Sequence, residues 1–430
     1  MSPPAGRSPE TWPAPPTPQA GLAALAEPLA ESDAVGFVHI ARAADPDRRY
    51  LTRAAEPQYP AAVVCLPAAG GELQAIYCVS TADRADAVDG FVTAEPAAGP
   101  TTIDRSVATR DPQTPPGTHA VSVLADRLGT AAGTGTLRVP SHLPHDAAVR
   151  LQRAGYELSS TTAVTAARAT KTDSERDCLR AVQRAAVHGM RSAHELLAEA
   201  TSDGGTLRVG GNPLSARQLE REIAATLAGV GVTPETVRVR AGDADAAEPL
   251  PADTGITIHI GPRGPHGYNG HLTRTVVVDS DGGWDRRAFI AATAGQQAAR
   301  RHCDPPGNVT TVAAEASAEL TAYGFRPLAG SNESDAADTN GDDAVGDVAS
   351  TPDAAGGTAA VYGVGLAPSE APSPAADGVV EAGSVIAVET RVVDPEHGRI
   401  QLGTLVAVTA DGGERLIDAP ISLTPTVDET

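Results

Sequence analysis

The strongest constraint on this chain is the order of its elements after residue 166. Amphipathic helices come first, and a block of strand-like runs follows. In ARATKTDSERDCLRAVQRAAVHGMRSAHELLAEA (167–200), Thr172 and Glu175 form a capping box that satisfies the first free amides of a helix. Leu179, Val182, Ala186, Met190, Ala193 and Leu197 then recur every three or four residues and share one face. SARQLEREIAATLAG (215–229) repeats the pattern, with Ser215 and Gln218 as a second box and Gly229 suited to the C-cap. Strand-like runs follow at 236–241, 256–260 and 272–279. Two more helices are predicted at 285–302 and 311–323, the second closed by Gly324. After these come AAVYGVGL, SVIAVETRVV and RIQLGTLVAVTADGGERL, all strand-rich. Helices followed by a block of strands predict an α+β domain built on an antiparallel sheet, over 166–425.

Residues 22–165 read differently. GLAALAEPLAESD is helical, AVGFVHIA (34–41) is strand-like, and AAVVCLP and LQAIYCVS are short apolar runs. HAVSVLADRLG (119–129) and HDAAVRLQRAGY (145–156) read as amphipathic helices with GTLRVP as a strand between them. The alternation predicts an α/β N-terminal domain with a mostly buried sheet. The first 21 residues are Pro-rich and lack an apolar stretch. The expectation there is a disordered lead-in, not a signal peptide.

The formal charge is −21, and the segment GSNESDAADTNGDDAVGDVASTPDAAGG (330–357) contributes seven acids and no base. Without it the remainder still carries −14, so the acidity is global. Lys171 is the only lysine; every other side-chain cation is Arg, His aside. That composition resembles proteins of salt-loving archaea and predicts a high-salt cytosol. There the Debye length shrinks to roughly 3 Å and dense carboxylates repel less. Acidity argues against nucleic acid, which needs a basic patch, and no run of apolar residues is long enough to span a membrane. The acidic segment is predicted to be a solvated disordered insertion. Cys65, Cys78, Cys178 and Cys303 lack CxxC spacing and read as buried thiols.

IHIGPRGPHGYNGHLTRTVVVD (258–279) has a histidine on each side of a Gly-rich turn, His259 and His271. Together with RATKTDSER, VYGVGLAPSEAP (361–372) and VEAGSVIAVE (380–389), this stretch resembles the creatinase/aminopeptidase P branch of the M24 metallopeptidases. The resemblance covers about residues 22–425. It implies a "pita-bread" C-terminal domain, a sheet with helices packed on one side, and an N-terminal domain that often mediates dimerisation. It implies Xaa-Pro peptidase chemistry: two divalent cations on Asp, Asp, His, Glu and Glu activate a bridging hydroxide. Tyr268, Thr273, Arg274, Thr275, Gly363, Gly365, Glu370 and Pro372 match the scaffold of that site.

The ligand positions do not match. By the resemblance they fall on His259, His271, Tyr362, Glu389 and Gln401, so four carboxylates become one. Ser369 replaces a loop histidine, and the upstream catalytic histidine has no counterpart in AGDADAAEPLPADTG. One anionic ligand cannot offset two buried dications, because uncompensated charge there costs several kcal/mol. The expectation is a non-hydrolytic pseudo-peptidase without metal. It would bind a peptide or small molecule in the cleft, as a homodimer or paired with a paralogue. The alternative is an Xaa-Pro hydrolase with one transition metal, Zn, Mn, Co or Fe, held by His259, His271 and Glu389. His266 is expected to be a solvated loop residue, and His188 and His194 surface or boundary residues.

Overall fold

The computed structural model describes residues 12–68, 72–94, 101–242, 245–328, 355–374 and 378–426. The chain divides into two compact units, Pro15–Arg168 and Ala169–Thr430 joined by Met1–Ala14.

The first unit runs α1 (Gln19–Ala30), β1 (Ala34–Ala41), α2 (Pro46–Thr52), β2 (Ala61–Pro67), β3 (Leu73–Ser80), α3 (Arg84–Ala87), β4 (Ile103–Arg110), α4 (Pro116–Leu128), β5 (Thr136–Val139), α5 (His145–Arg153), β6 (Glu157–Ser160) and α6 (Ala163–Ala169). Its six-stranded sheet has the order β4-β3-β2-β1-β5-β6. β1–β2 and β2–β3 are antiparallel; β3–β4, β1–β5 and β5–β6 are parallel. Val38, Ile40, Val64, Leu66 and Ile76 pack on Val123 and Leu124 of α4 and Leu151 of α5. Both sheet faces are occupied, which explains why the central strands read as continuous apolar runs.

The second unit runs α7 (Asp173–Ala198), β7 (Thr201–Asp203), β8 (Thr206–Val209), β9 (Asn212–Pro213), α8 (Ala216–Gly229), β10 (Thr233–Ala241), β11 (Ile256–Arg263), β12 (Leu272–Val276), α9 (Gly283–Arg301), β13 (Gly307–Asn308), α10 (Val309–Ala322), β14 (Gly356–Gly363), β15 (Val379–Val380), β16 (Val385–Asp394), β17 (Gly398–Thr409) and β18 (Gly412–Arg415). The large sheet has the order β10-β11-β12-β17-β16-β14, with β18 on β17, and its pairings among the described residues are antiparallel. Both predicted capping boxes are formed, at Thr172/Glu175 and Ser215/Gln218. The apolar face of α7 is buried as its spacing requires: Leu179, Val182, Ala186, Ala193 and Leu197 are at most 1% exposed. Burial of each large side chain contributes about 1.5–3 kcal/mol.

Strand alternation decides which face of this sheet meets the helices. Ile256, Ile258, Ile260, Leu272 and Val276 join the core with α7 and α8. Val361, Ile386, Val388 and Val406 join the core with α9 and α10, as do Val392, Ile400 and Leu402. The residues between them along each strand therefore stand on the face turned away from the helices.

Several expectations shift. The lead-in predicted over 1–21 ends sooner: residues 1–11 lie outside the described ones, Trp12 packs on the α7/α8 core, and α1 begins at Gln19. The predicted insertion 330–357 lies outside the described residues except at its end, where Gly356 and Gly357 already pair in β14. Gly229 is the last helical residue of α8, not its cap; the left-handed turn falls on Gly231 (φ +84°). β12 stops at Val276, short of the predicted 279. His194 is buried at 4% exposure, because it lies one turn from both Met190 and Leu197 on the apolar face of α7. His266 is half-buried, and its Nε2 is 2.9 Å from the carbonyl oxygen of Pro13.

Candidate functional site

Cross-strand register assembles one row across the second unit's sheet. His259 pairs with Thr273, Thr273 with Gly403, and Gly403 with Glu389. Directly paired residues in an antiparallel sheet project to the same face, here the face away from the helices. Gln401 is two residues from Gly403, Tyr362 pairs with Ala387, itself two from Glu389, and His271 is two before Thr273. The period of two therefore puts all five expected cleft side chains, His259, His271, Tyr362, Glu389 and Gln401, on one face.

They meet there. Glu389 is the hub, 15% exposed at its side chain. Tyr362 donates its hydroxyl to Glu389 Oε1 at 3.2 Å, and Gln401 Nε2 donates to Oε2 at 2.8 Å. His271 Nε2 is 2.9 Å from Oε1. It is not aligned for a hydrogen bond, so this buried nitrogen has no hydrogen-bonding partner among the described residues. His259 Nδ1 is 2.9 Å from Thr273 Oγ1, and the two imidazoles meet edge-on with centroids 5.0 Å apart. A Cβ on Gly403 would lie 2.8 Å from His271 Nε2 and 2.9 Å from Thr273 Oγ1. Only glycine lets the ring come down over β17.

The scaffold residues hold this arrangement. Gln183 on α7 grips the His271 backbone at both ends, donating to its carbonyl at 2.8 Å and accepting from its amide at 2.9 Å. Arg274, 1% exposed, donates to the carbonyls of Thr273, Gly403 and Pro420. Burial pulls its pKa down to about 10, which leaves it charged at neutral pH. Tyr268 donates to Glu175 Oε1 at 2.7 Å, so the α7 capping glutamate also anchors the turn. The only lysine, Lys171, is buried against Glu370 at 2.7 Å. Gly363 accepts from the Glu370 amide, and Gly365 accepts from Asn269. A Cβ on Gly365 would lie 2.1 Å from Glu370 Oε1.

The electrostatics are unusual for a metallopeptidase cleft. Burial drives His259 down to about 3; nearby His271 pushes the same way, Glu389 opposes, and Arg238 adds to the fall. His259 is therefore neutral at working pH. Burial alone would raise Glu389, but His271, then His259 and Gln401, hold it at about 2. Tyr362 and Gln401 donate to that carboxylate at every pH at which it is ionised. Burial and Glu389 push the Tyr362 hydroxyl well above its ordinary value, so it remains a donor.

Two arginines that sequence reasoning overlooked share the face. Arg238 pairs with His259 across β10–β11, and Arg391 pairs with Gln401 across β16–β17. Arg391 Nε is buried with no hydrogen-bonding partner among the described residues. Their signal is parity with His259 and Gln401, which is invisible until the strand register is known.

The donor set can be tested against metals directly. His259, His271 and Glu389 each offer one ligand atom, all within 4.8 Å of one another. Two nitrogens and one carboxylate suit a single Zn²⁺ or Fe²⁺. Two dications do not fit these donors. One carboxylate would leave about three positive charges uncompensated beside Arg238 and Arg391, a cost of several kcal/mol.

The comparisons with known proteins agree with the architecture. The model of "Metallopeptidase family M24" matches residues 176–410. Among curated proteins none matches this sequence. Among solved structures, the prolidase from Pyrococcus horikoshii OT3 superposes with a TM-score of 0.69 at 16% identity, covering 94% of this chain and 99% of that one. The Xaa-Pro dipeptidase from Bacillus anthracis gives 0.71 at 15% identity, over 95% and 99%. Dipeptidase PepE from Mycobacterium ulcerans gives 0.66 at 21% identity, over 94% and 96%. The chain therefore belongs to metallopeptidase family M24, with the fold of its creatinase/aminopeptidase P branch.

Proposed function

We propose that this protein keeps the M24 cleft for binding and does not carry out two-metal peptide hydrolysis. One observation supports this above the rest: Glu389 is the single carboxylate among the five cleft side chains, and protein donors already engage both of its oxygens. The ligand we propose is a small molecule or short peptide with a free carboxylate. Arg238 and Arg391 flank the row, and a bidentate guanidinium–carboxylate contact is the strongest polar recognition available to them. The charge balance is the reverse of a dication site, and reversed charge favours an anion.

A second reading has its own support in the convergence of His259, His271 and Glu389, whose ligand atoms lie within 4.8 Å of one another. A single transition metal on His259, His271 and Glu389 would polarise a substrate carbonyl or lower the pKa of bound water. Dipeptides and tripeptides with proline at the second position separate the two readings. They are assayed in high KCl, with and without Mn²⁺, Co²⁺ and Zn²⁺. The binding reading predicts no turnover above buffer and a dipeptide affinity that falls at least tenfold in Arg391→Ala. Metal-dependent turnover that disappears in both His259→Ala and Glu389→Ala would replace it with the single-metal hydrolase.

A further inference from the structure

The first unit contains another convergence of chemistry-bearing side chains. β1 and β5 are parallel neighbours, so their carboxyl ends lie side by side. In open α/β sheets the crevice beyond such ends is where ligands bind, at the point where the chain turns to opposite sides of the sheet. β1 occupies that point, with β2 on one side and β5 on the other. His39 stands near the end of β1, Asp45 caps α2 just beyond it, and His142 lies in the loop that leaves β5.

The geometry is tight. His39 Nε2 is 2.7 Å from Asp45 Oδ1, and His142 Nε2 is 3.6 Å from Asp45 Oδ2. The ligand atoms of all three residues lie within 4.8 Å of one another. His142 Nε2 is also 3.6 Å from Asp47 Oδ2, while Asp47 Oδ1 is held by Arg168 at 2.6 Å. The two imidazoles meet edge-on at 5.3 Å. His39 is buried at 1%, and its Nδ1 has no hydrogen-bonding partner among the described residues. His142 is half-exposed at 51% and leaves the cluster open to solvent.

From this geometry we infer that His39, Asp45 and His142 form a site for one divalent transition metal, with Zn²⁺ the best match and the fourth position left to solvent. Two imidazoles and a carboxylate are a set that Zn²⁺ takes at about 2.0–2.2 Å per bond. Tetrahedral donors at that range are about 3.3 Å apart, so His39 and Asp45 open slightly and the half-exposed His142 closes in. Asp45 and Asp47 supply two negative charges and Arg168 offsets one, so the cluster carries a net −1 that attracts a dication. Ligand imidazoles must be neutral, so protons compete with the metal. Bound metal would tie the loop after β5 to the first turn of α2. This site belongs to a different unit from the Glu389 cleft and does not rest on the function proposed for that cleft.

The test uses the full chain, stripped with chelator and titrated with Zn²⁺ by calorimetry and with Co²⁺ by its visible d–d absorption. Three proteins are compared: wild type, His142→Ala and His271→Ala. His142 is half-exposed, and His142→Asn serves as a second variant, with circular dichroism to verify folding. The expected result is a Co²⁺ signal with tetrahedral intensity in wild type and His271→Ala. In both His142 variants that binding step weakens at least tenfold. Full-strength binding in folded His142 variants, or no binding in His271→Ala, would overturn the inference. In the latter case the cluster is only a hydrogen-bonded cap of α2.

Discussion

Gln401 is the residue on which the cleft's charge state turns. Its amide donates to Glu389 at 2.8 Å, and a glutamate there would place two carboxylates in contact in a largely buried row. Gln401→Glu is expected to destabilise the metal-free protein by about 1–3 kcal/mol, because like charges that close cannot both ionise at no cost. Millimolar Mn²⁺ or Zn²⁺ should restore most of the loss, read as a lowered and then recovered Tm. An unchanged Tm without metal would show that Glu389 is better screened than the geometry implies. Acid provides an independent check. Folded His259 titrates at about 3 against an ordinary 6.5, and folded Glu389 at about 2 against 4.5. In each interval the unfolded chain binds a proton that the folded chain refuses, so stability falls as pH falls. Of these two groups, only His259 contributes between pH 6.5 and 4.5. Urea midpoints should fall with acid there in wild type and fall less steeply in His259→Asn. Parallel curves would place the proton uptake elsewhere. At this scale the site was half legible. His259, His271, Tyr362, Glu389 and Gln401 could be found because each sits beside an intact scaffold motif. Arg238, Arg391 and Gln183 could not, because they reach the site only through strand register or helix packing.

At the scale of elements, β17 carries the tightest packing of the site. Gly403 lies between Thr273 and Glu389, and an added Cβ would overlap both His271 Nε2 and Thr273 Oγ1. Gly403→Ala is expected to cost about 1–3 kcal/mol by overpacking and to displace His271 from Glu389. Denaturant unfolding gives the first quantity. The His271 imidazole resonances, compared with those of wild type, report the second. A neutral substitution would mean that β12 and β17 can separate without loss. Long elements with clear periodicity were legible: α7, α8, β1, β2 and β3 fall where apolar spacing and caps place them. Short ones were not. α2 has seven residues and no room for a helical period, and β7, β8 and β9 are short, largely polar strands held by local hairpin pairing. His194 departs from its expected surface or boundary place because its position on the buried stripe of α7 outweighs its polarity.

At the scale of the whole molecule, the charge of −21 is spread over a chain with one lysine, and that lysine is buried in an ion pair. With 54 Asp and Glu against 33 Lys and Arg, the acids outnumber the cations that could soften their repulsion. Tm is expected to rise with KCl and to level off near 1 M, where the Debye length has fallen to roughly 3 Å. A Tm that is flat or falls with KCl would remove self-repulsion as a term in stability. The fold class of both units followed from element order alone, because helices-then-strands and alternation bury their apolar faces in different ways. The persistence of Tyr268, Arg274, Gly363, Gly365 and Glu370 around an altered ligand set has a physical basis. These residues satisfy backbone groups and close approaches that the sheet needs whether or not a metal is bound. Cation occupancy of that cleft separates binding from two-metal hydrolysis. Anomalous diffraction from crystals grown in millimolar Mn²⁺ tests it most directly. The charge balance predicts no pair of Mn²⁺ peaks beside Glu389, whereas two peaks about 3.5–4 Å apart at that side chain would contradict it.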